Sequence, residues 1–115
     1  MKRYRMSAQT SLRARSYGER VIPLLGKINR IKGYRFHSQR GNLYTNWECV
    51  LVVGEKGSAR LNGVCWGYSG EGPRTLHGIL VQCGVSAEKA KELAFSSERK
   101  SGDGVDWEIK MSQGV

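Results

Sequence analysis

An alternating run at residues 44–53 constrains the fold of this chain more than any other part of its sequence. Through YTNWECVLVV, the residues of one predicted face recur at every second position, which is the period of a β-strand. The GEKG segment at 54–57 then predicts a hairpin loop, and residues 59–66 (ARLNGVCW) predict the returning strand. The middle of the chain is therefore expected to be an antiparallel pair of strands.

Further strands are predicted on either side of this pair. Residues 34–38 (YRFHS) alternate in the same way, with Phe36 expected to face the core, and the RGN segment at 40–42 predicts a turn. Residues 105–111 (VDWEIKM) predict a last strand.

Two helices are predicted between the third strand and the last. Pro73 suits the first position of a helix, Gly84 is expected to end it in the left-handed conformation, and Ser86 to cap a second helix. The core-facing stripe of the first helix, at i, i+3, i+4 and i+7, comprises Leu76, Ile79, Leu80 and Cys83. The predicted class is α+β: a small, mostly antiparallel sheet of about four strands with two consecutive helices on one face, in the order β-β-β-α-α-β.

The length of 115 residues suits one domain. Residues 33–115 are predicted to form the α+β domain, and residues 1–32 a basic N-terminal arm. The part of the arm at 18–32 carries apolar side chains and is expected to dock on the core as short strand or loop, because Pro23 and Gly26 interrupt a helix. Residues 1–17 are expected to be extended or weakly helical.

Several classes of protein are excluded by composition. No apolar run approaches about 18 residues, so no transmembrane helix is expected. The basic N-terminus is not followed by the apolar segment of a secretory signal. Three cysteines without a C-x-x-C spacing indicate reduced thiols in the cytoplasm, and we expect neither a metal nor a cofactor.

Positive charge is concentrated in the first 32 residues. They carry nine basic side chains against one acidic side chain, Glu19, whereas residues 33–115 carry ten basic and nine acidic side chains. This asymmetry predicts a polyanionic partner, either a nucleic acid, a nucleoprotein complex or the acidic face of a protein; a solvated tail is the alternative. The residues predicted to bind the polyanion are Lys2, Arg3, Arg5, Arg13, Arg15, Arg20, Lys27, Arg30, Lys32 and Arg35. Interleaved tyrosines such as Tyr4, Tyr17 and Tyr34 add the possibility of base stacking.

A second candidate site is the glycine-rich segment at 66–76 (WGYSGEGPRTL), directly before a predicted helix. Glycines let the backbone approach a ligand, and a helix N-terminus directs N–H groups at an anion. Against this, Pro73 lacks an N–H and Glu71 is negative, so the segment also fits a purely structural corner. The residues predicted to hold a small anion or nucleotide are Trp66, Tyr68, Ser69, Gly70, Glu71, Gly72, Arg74 and Thr75.

The same segment resembles a small uncharacterised family of bacterial and phage proteins. The likeness consists of the pattern W-G-Y-x-G-x-G-P-x-x-L, two helices after it and the late D-W-E-I strand, over about residues 34–110. The chain departs from the family pattern at Ser69, where glycine is usual, and at His77 and Gly78. The resemblance implies a prokaryotic or phage origin, and by analogy a role in host takeover or counter-defence, but no activity.

Two other interpretations have less support. The helix, Cys83-Gly84-Val85-Ser86 turn and second helix are similar to a helix-turn-helix, but the second helix lacks the Arg, Asn or Gln that read bases. His37 and His77 are the two histidines, and catalysis would use a pair such as His77 with Cys65 or Cys83. The helical stripe places Cys83 in the core, where a thiol is inert.

The sequence thus predicts a non-enzymatic binding protein that engages nucleic acid or a nucleoprotein through residues 2–35. The alternatives are a protein that sequesters a nucleotide in the 66–76 loop, and an inhibitor that blocks a protein partner by charge complementarity. A homo-oligomer is also compatible with the sequence, because four strands and two helices can leave an apolar face uncovered.

Overall fold

A five-stranded sheet forms the centre of the molecule. The computed structural model describes residues 2–5, 11–98 and 103–111, without the side chains of residues 5, 11, 12, 37–40 and 43–47. The strands lie in the order β1-β4-β3-β2-β5, and all pairs are antiparallel except the parallel pair β1–β4. Their bounds are β1 Lys2–Arg5, β2 Ile28–Arg40, β3 Leu43–Gly54, β4 Gly57–Asn62 and β5 Gly104–Lys110. The predicted α+β class is confirmed, with a mixed sheet of five strands in place of about four.

Three α-helices cover one side of this sheet. They are α1 (Ser11–Val21), which continues into a 3-10 turn at Ile22–Leu25, α2 (Glu71–Gln82) and α3 (Ala87–Ser96). The two predicted helices are α2 and α3. Their connection has the predicted chemistry, since Gly84 has φ +99° and the Ser86 hydroxyl accepts a hydrogen bond from the Lys89 N–H at 3.3 Å. Pro73 lies two residues inside α2, because the helix begins at Glu71.

A regular helix over Ser11–Val21 was not predicted, since residues 1–17 were expected to be extended or weakly helical and residues 18–32 to be short strand or loop. The small residues on the buried side of α1 explain the difference. Ala14, Gly18, Val21 and Ile22 are buried at helical spacing, but two of these four residues contribute almost no hydrophobic signal. The small side chains allow α1 to lie close to α2: a Cβ at Gly18 would be 3.7 Å from Ile79 Cγ1, and Gln82 Nε2 donates to the Gly18 carbonyl at 3.2 Å.

The first strand also lies in the stretch that was predicted to be extended or weakly helical. Lys2–Arg5 pairs with Gly57–Arg60, and the backbones approach so closely that a Cβ at Gly57 would lie 2.5 Å from the Lys2 carbonyl oxygen. A four-residue strand whose partner is more than fifty positions away has no periodicity from which it could be predicted.

Two strand boundaries differ from the prediction for local reasons. The strand predicted at 59–66 ends at Asn62, because Gly63 takes the left-handed conformation with φ +81°. Strand β2 begins at Ile28, and it continues through positions 32 and 33, where the arm was predicted to meet the domain. Ile28 and Ile31 are buried and belong to the core.

The core lies between the helices and one face of the sheet. Ile31, Val50, Val52, Ala59 and Leu61 form that face, and they share one buried cluster with residues of all three helices. The opposite face, here called the outer face, contributes no described residue to this cluster. It comprises Arg3, Arg30, Lys32, Tyr34, Phe36, Cys49, Leu51, Val53, Ser58, Arg60, Asn62, Val105, Glu108 and Lys110. The prediction that Phe36 faces the core is wrong, because its alternation with Arg35 places it on the outer face beside Tyr34.

Strands β2 and β3 reach beyond their neighbours. They pair with each other up to Arg40 and Leu43, whereas β5 pairs with β2 only as far as Arg35 and β4 with β3 only as far as Cys49. The end of this hairpin is therefore a two-stranded ribbon of about five residues a strand, or roughly 17 Å. None of the helices in the described ranges combines the length and hydropathy needed to cross a bilayer.

Candidate nucleic-acid interface

Basic side chains from four strands share the outer face. Among the described residues of this face, five are basic and only Glu108 is acidic. Arg30 Nε lies 3.5 Å from Glu108 Oε2, with both side chains partly exposed, so solvent screens this pair and it holds the arginine weakly. The face therefore keeps a positive charge that a polyanion can neutralise. Its basic residues are Arg3, Arg30, Lys32, Arg60 and Lys110.

Two aromatic rings lie among these cations. Tyr34 and Phe36 are half-buried neighbours on β2, with ring centroids 6.2 Å apart and planes 29° apart. Arg60 crosses from β4 and places its guanidinium carbon 4.8 Å from the Phe36 centroid, while Lys32 Nζ is 5.8 Å from the Tyr34 centroid. Cation–π contacts of this kind fix the long basic side chains over the sheet.

A groove opens between the aromatic pair and the β1 edge. Its volume of about 350 Å³ is at the lower end of the range for small-molecule sites. One arginine of β1 and one of β4 line the groove, and apolar side chains of β3 form its floor. The residues that line it are Arg3, Tyr4, Tyr34, Leu51, Val53, Ser58 and Arg60.

The predicted polyanion-binding residues divide between two surfaces. Arg3, Arg30 and Lys32 belong to the outer face, whereas Arg13, Arg15 and Arg20 are exposed on α1 on the other side of the sheet. Arg15 pairs with Glu19 one helical turn away at 3.4 Å, and Arg20 lies 5.8 Å from the Tyr17 ring. Burial raises the pKa of Tyr17. Lys2 and Lys27 are exposed, and Lys2 Nζ is 5.5 Å from the Tyr4 ring. The Arg5 side chain lies outside the described part of the chain.

Arg35, also predicted to bind the polyanion, is engaged inside the protein. Its Nη2 lies 2.6 Å from Asp106 Oδ1 and its Nε 2.8 Å from the same oxygen, with side-chain exposures of 10% for Arg35 and 0% for Asp106. The hydrogen bond to Asp106 raises the pKa of Arg35. Asp106 can reach Arg35 because the register between β2 and β5 shifts at Gly33 and Tyr34, which gives β5 one extra residue. Such a bulge re-directs a side chain, and it removes Arg35 from the charge available to a partner.

Trp66, the first residue of the 66–76 loop, has no face available for a base. Its side chain is fully buried, its Nε1 donates to Asp106 Oδ2 at 2.8 Å, and its ring meets Trp107 edge-on with centroids 5.6 Å apart. The Trp107 indole in turn covers Gly33 on β2, where a Cβ would lie 2.4 Å from the ring. Trp66, Asp106 and Arg35 thus form one buried network that ties the loop to the sheet.

The loop itself is filled by its own tyrosine. The Tyr68 ring lies over Gly70, where a Cβ would be 2.6 Å from ring carbon Cε2, and the Tyr68 hydroxyl lies 3.3 Å from the Cβ position of Gly72. The Arg74 N–H donates to the Gly70 carbonyl at 3.1 Å, which is the first hydrogen bond within α2. Pro73, one position earlier, has no N–H, so this helix start has one donor fewer for an anion.

The remaining loop residues do not converge on a pocket. Ser69, Glu71 and Arg74 are exposed, whereas Gly72 and Thr75 are buried under the helix. The Gly67 N–H donates to the Ala94 carbonyl on α3 at 2.9 Å. This geometry favours the structural corner over a nucleotide pocket.

Helix α3, the second helix of the helix-turn-helix interpretation, has a balanced exposed surface. Lys89 and Lys91 alternate with Glu88 and Glu92 around its exposed side, so this surface offers a phosphate backbone no net positive charge.

The thiols have the surroundings of structural cysteines. All three are free, and burial raises the pKa of Cys83 to about 12 and also raises the pKa of Cys49, whose Sγ donates to Asn62 Oδ1 at 3.0 Å. Cys65 donates to the Glu48 carboxylate. His77 packs against Phe95 with ring centroids 6.1 Å apart, and the His37 side chain lies outside the described part. No three His, Cys, Asp or Glu side chains among the described residues are placed to hold a metal ion.

Sequence reasoning missed three contributors to the outer face. Arg60 and Lys110 were not selected because they lie in the part of the chain with balanced charge, and Phe36 was assigned to the core. The alternation of Arg60 with the buried Ala59 and Leu61 was a readable signal of an outward-facing residue.

Comparison with protein-family models, with curated proteins and with solved structures finds no match for this chain. The resemblance based on the W-G-Y-x-G-x-G-P-x-x-L pattern stays a prediction.

Proposed function

We propose that this protein is a non-enzymatic nucleic-acid-binding protein that uses the outer face of its sheet. The observation that carries this proposal is the meeting of basic side chains from four strands on a face that none of the described helices covers, with one acidic side chain among the described residues of that face. Cations held on a rigid sheet neutralise phosphates at low entropic cost, and the release of counterions from the nucleic acid supplies the binding free energy.

Fewer of the predicted polyanion-binding residues support this proposal than the sequence suggested. Arg3, Arg30 and Lys32 contribute to the outer face, Arg60 and Lys110 join them, and Arg35 belongs to the buried network. The cellular setting that we propose, the cytoplasm of a bacterium or of a phage-infected host, rests on the resemblance. A protein of this kind would act there by occupying a nucleic acid or nucleoprotein of the host.

The test compares two double variants that remove equal charge from different surfaces. Arg3→Gln with Lys32→Gln changes the outer face, and Arg15→Gln with Arg20→Gln changes α1. We expect only the first to weaken binding of a fluorescent oligonucleotide in anisotropy titrations over a range of salt. The slope of log K against log salt should become shallower by about 0.7 to 0.9 for each phosphate that the variant no longer neutralises.

Equal losses in both variants would mean that net charge alone attracts the nucleic acid, and would overturn the outer-face site. Absence of binding by the wild-type protein at low salt would overturn the function itself. Thermal unfolding of both variants, expected to stay close to that of the wild type, serves as the control for folding.

A further inference from the structure

We infer that the nucleic acid bound on the outer face is single-stranded, with neighbouring bases stacked over the Tyr34–Phe36 pair. This inference rests on the proposed function and names its substrate class. The aromatic pair lies at the end of the basic face, where the sheet narrows to the β2–β3 ribbon. Lys32 contacts the Tyr34 ring and Arg60 contacts the Phe36 ring. Rings flanked by cations provide both contacts that a single strand needs, a surface for its bases and charge for its phosphates.

The spacing of the rings selects unstacked bases. The centroids of Tyr34 and Phe36 are 6.2 Å apart, whereas successive bases in a duplex are about 3.4 Å apart. Consecutive bases can therefore cover one ring each only when they have separated from one another. Bases in a duplex keep their flat faces inside the stack, so only a single strand offers these faces to a protein.

The adjoining groove extends the surface for the strand. It passes from the Tyr34 side of the pair toward β1, where Arg3 and Arg60 line it. A nucleotide next to the stacked bases can place its phosphate between these two arginines, while Leu51 and Val53 provide an apolar floor for its base.

The experiment measures binding of labelled single-stranded oligothymidylate and of a duplex of equal length to the full chain. We expect tighter binding of the single strand. Phe36→Leu and Tyr34→Leu, which keep an apolar side chain but remove the ring, should each weaken single-strand binding by about five- to 150-fold. The salt dependence should not change, because no charge is removed. Phe95→Leu on α3, half-buried on the other side of the sheet, is the matched control and should leave the affinity unaltered.

A crosslinking measurement covers the case in which an aromatic variant fails to fold. Oligonucleotide containing 5-bromouracil is irradiated with the wild-type protein, and the modified peptide is identified by mass spectrometry. Crosslinks at Tyr34 or Phe36 are expected. Crosslinks confined to α1 or to the turn of the β2–β3 hairpin would overturn the inference.

The two proposals fail in different ways. If the protein binds the duplex as well as the single strand and Phe36→Leu changes nothing, the stacking inference is wrong but the nucleic-acid function stands. If neither form binds, the proposed function is wrong. A drop in affinity in Phe95→Leu equal to that in Phe36→Leu would also overturn the stacking site.

Discussion

Asp106 is the residue on which the buried polar network depends. Its carboxylate is fully buried, and it neutralises Arg35 while accepting the indole N–H of Trp66. We expect Asp106→Asn to lower the free energy of unfolding by about 1.5–3 kcal/mol, because Arg35 loses its charge-assisted hydrogen bonds while Glu48 and Asp103 still act on its charge. Urea unfolding followed by tryptophan fluorescence measures this change as a lower midpoint.

The matched control is the other ion pair between β2 and β5. Arg30 and Glu108 are partly exposed at 3.5 Å, so Glu108→Gln is expected to change the unfolding free energy by less than about 1 kcal/mol. Similar destabilisation in both variants would contradict the special role of Asp106. The sequence did not predict the Arg35–Asp106 contact, because its partners are 71 positions apart and meet only through a bulge.

Strands β2 and β5 approach each other so closely at Gly33 that one added carbon is expected to disturb their packing. A Cβ at Gly33 would lie 2.4 to 2.6 Å from three atoms of the Trp107 indole. We expect Gly33→Ala to destabilise the protein by about 1–3 kcal/mol, because the buried ring has to move. Thermal unfolding monitored by circular dichroism measures the effect.

A second glycine provides the opposite expectation. Gly78 lies inside α2, and a Cβ there would meet nothing within 4 Å. Gly78→Ala should therefore stabilise the protein by about 0.5–1 kcal/mol through helix propensity. A melting temperature that rises in Gly33→Ala, or falls in Gly78→Ala, would contradict the packing described for these helices and strands.

Elements with a local signal were predictable, and elements defined by distant contacts were not. The α2–α3 turn was readable from Gly84 and Ser86, since each of these residue types has a specific role at a helix end. Strand β1 and helix α1 were missed, because β1 is defined by pairing with β4 and α1 by the close contact that Gly18 allows. The same distinction holds for the candidate site. The concentration of positive charge in the sequence identified Arg3, Arg30 and Lys32, but only the register of the strands shows that they lie on one face.

The placement of the N-terminal segment determines how its function can be tested. Ala14 is fully buried and β1 covers one edge of β4, so β1 and α1 belong to the folded molecule and also contribute to its charge. We expect deletion of residues 2–17 to lower the melting temperature sharply and to produce larger species in size-exclusion chromatography, because the deletion exposes a strand edge. The Arg3→Gln and Lys32→Gln double variant should remain monodisperse.

A truncated protein that unfolds cooperatively at the wild-type temperature would contradict this placement. Because the deletion removes folded structure together with charge, weaker binding by the truncated protein would say nothing about charge alone. Substitutions are therefore the appropriate probe of the outer face.

The separation of Arg35 from Asp106 also has a consequence for the order in which the protein can form during synthesis. A ribosome makes β2 early, but Asp106 belongs to the last strand in the order. A nascent chain therefore contains Arg35 and its cross-strand neighbour Glu48 before the carboxylate that hydrogen-bonds both Arg35 and Trp66 exists. Enclosing the arginine and the indole N–H without that acceptor would be costly, so the corner around Trp66 is expected to stay open until β5 arrives. The buried network thus makes the closing of this corner wait for the last strand.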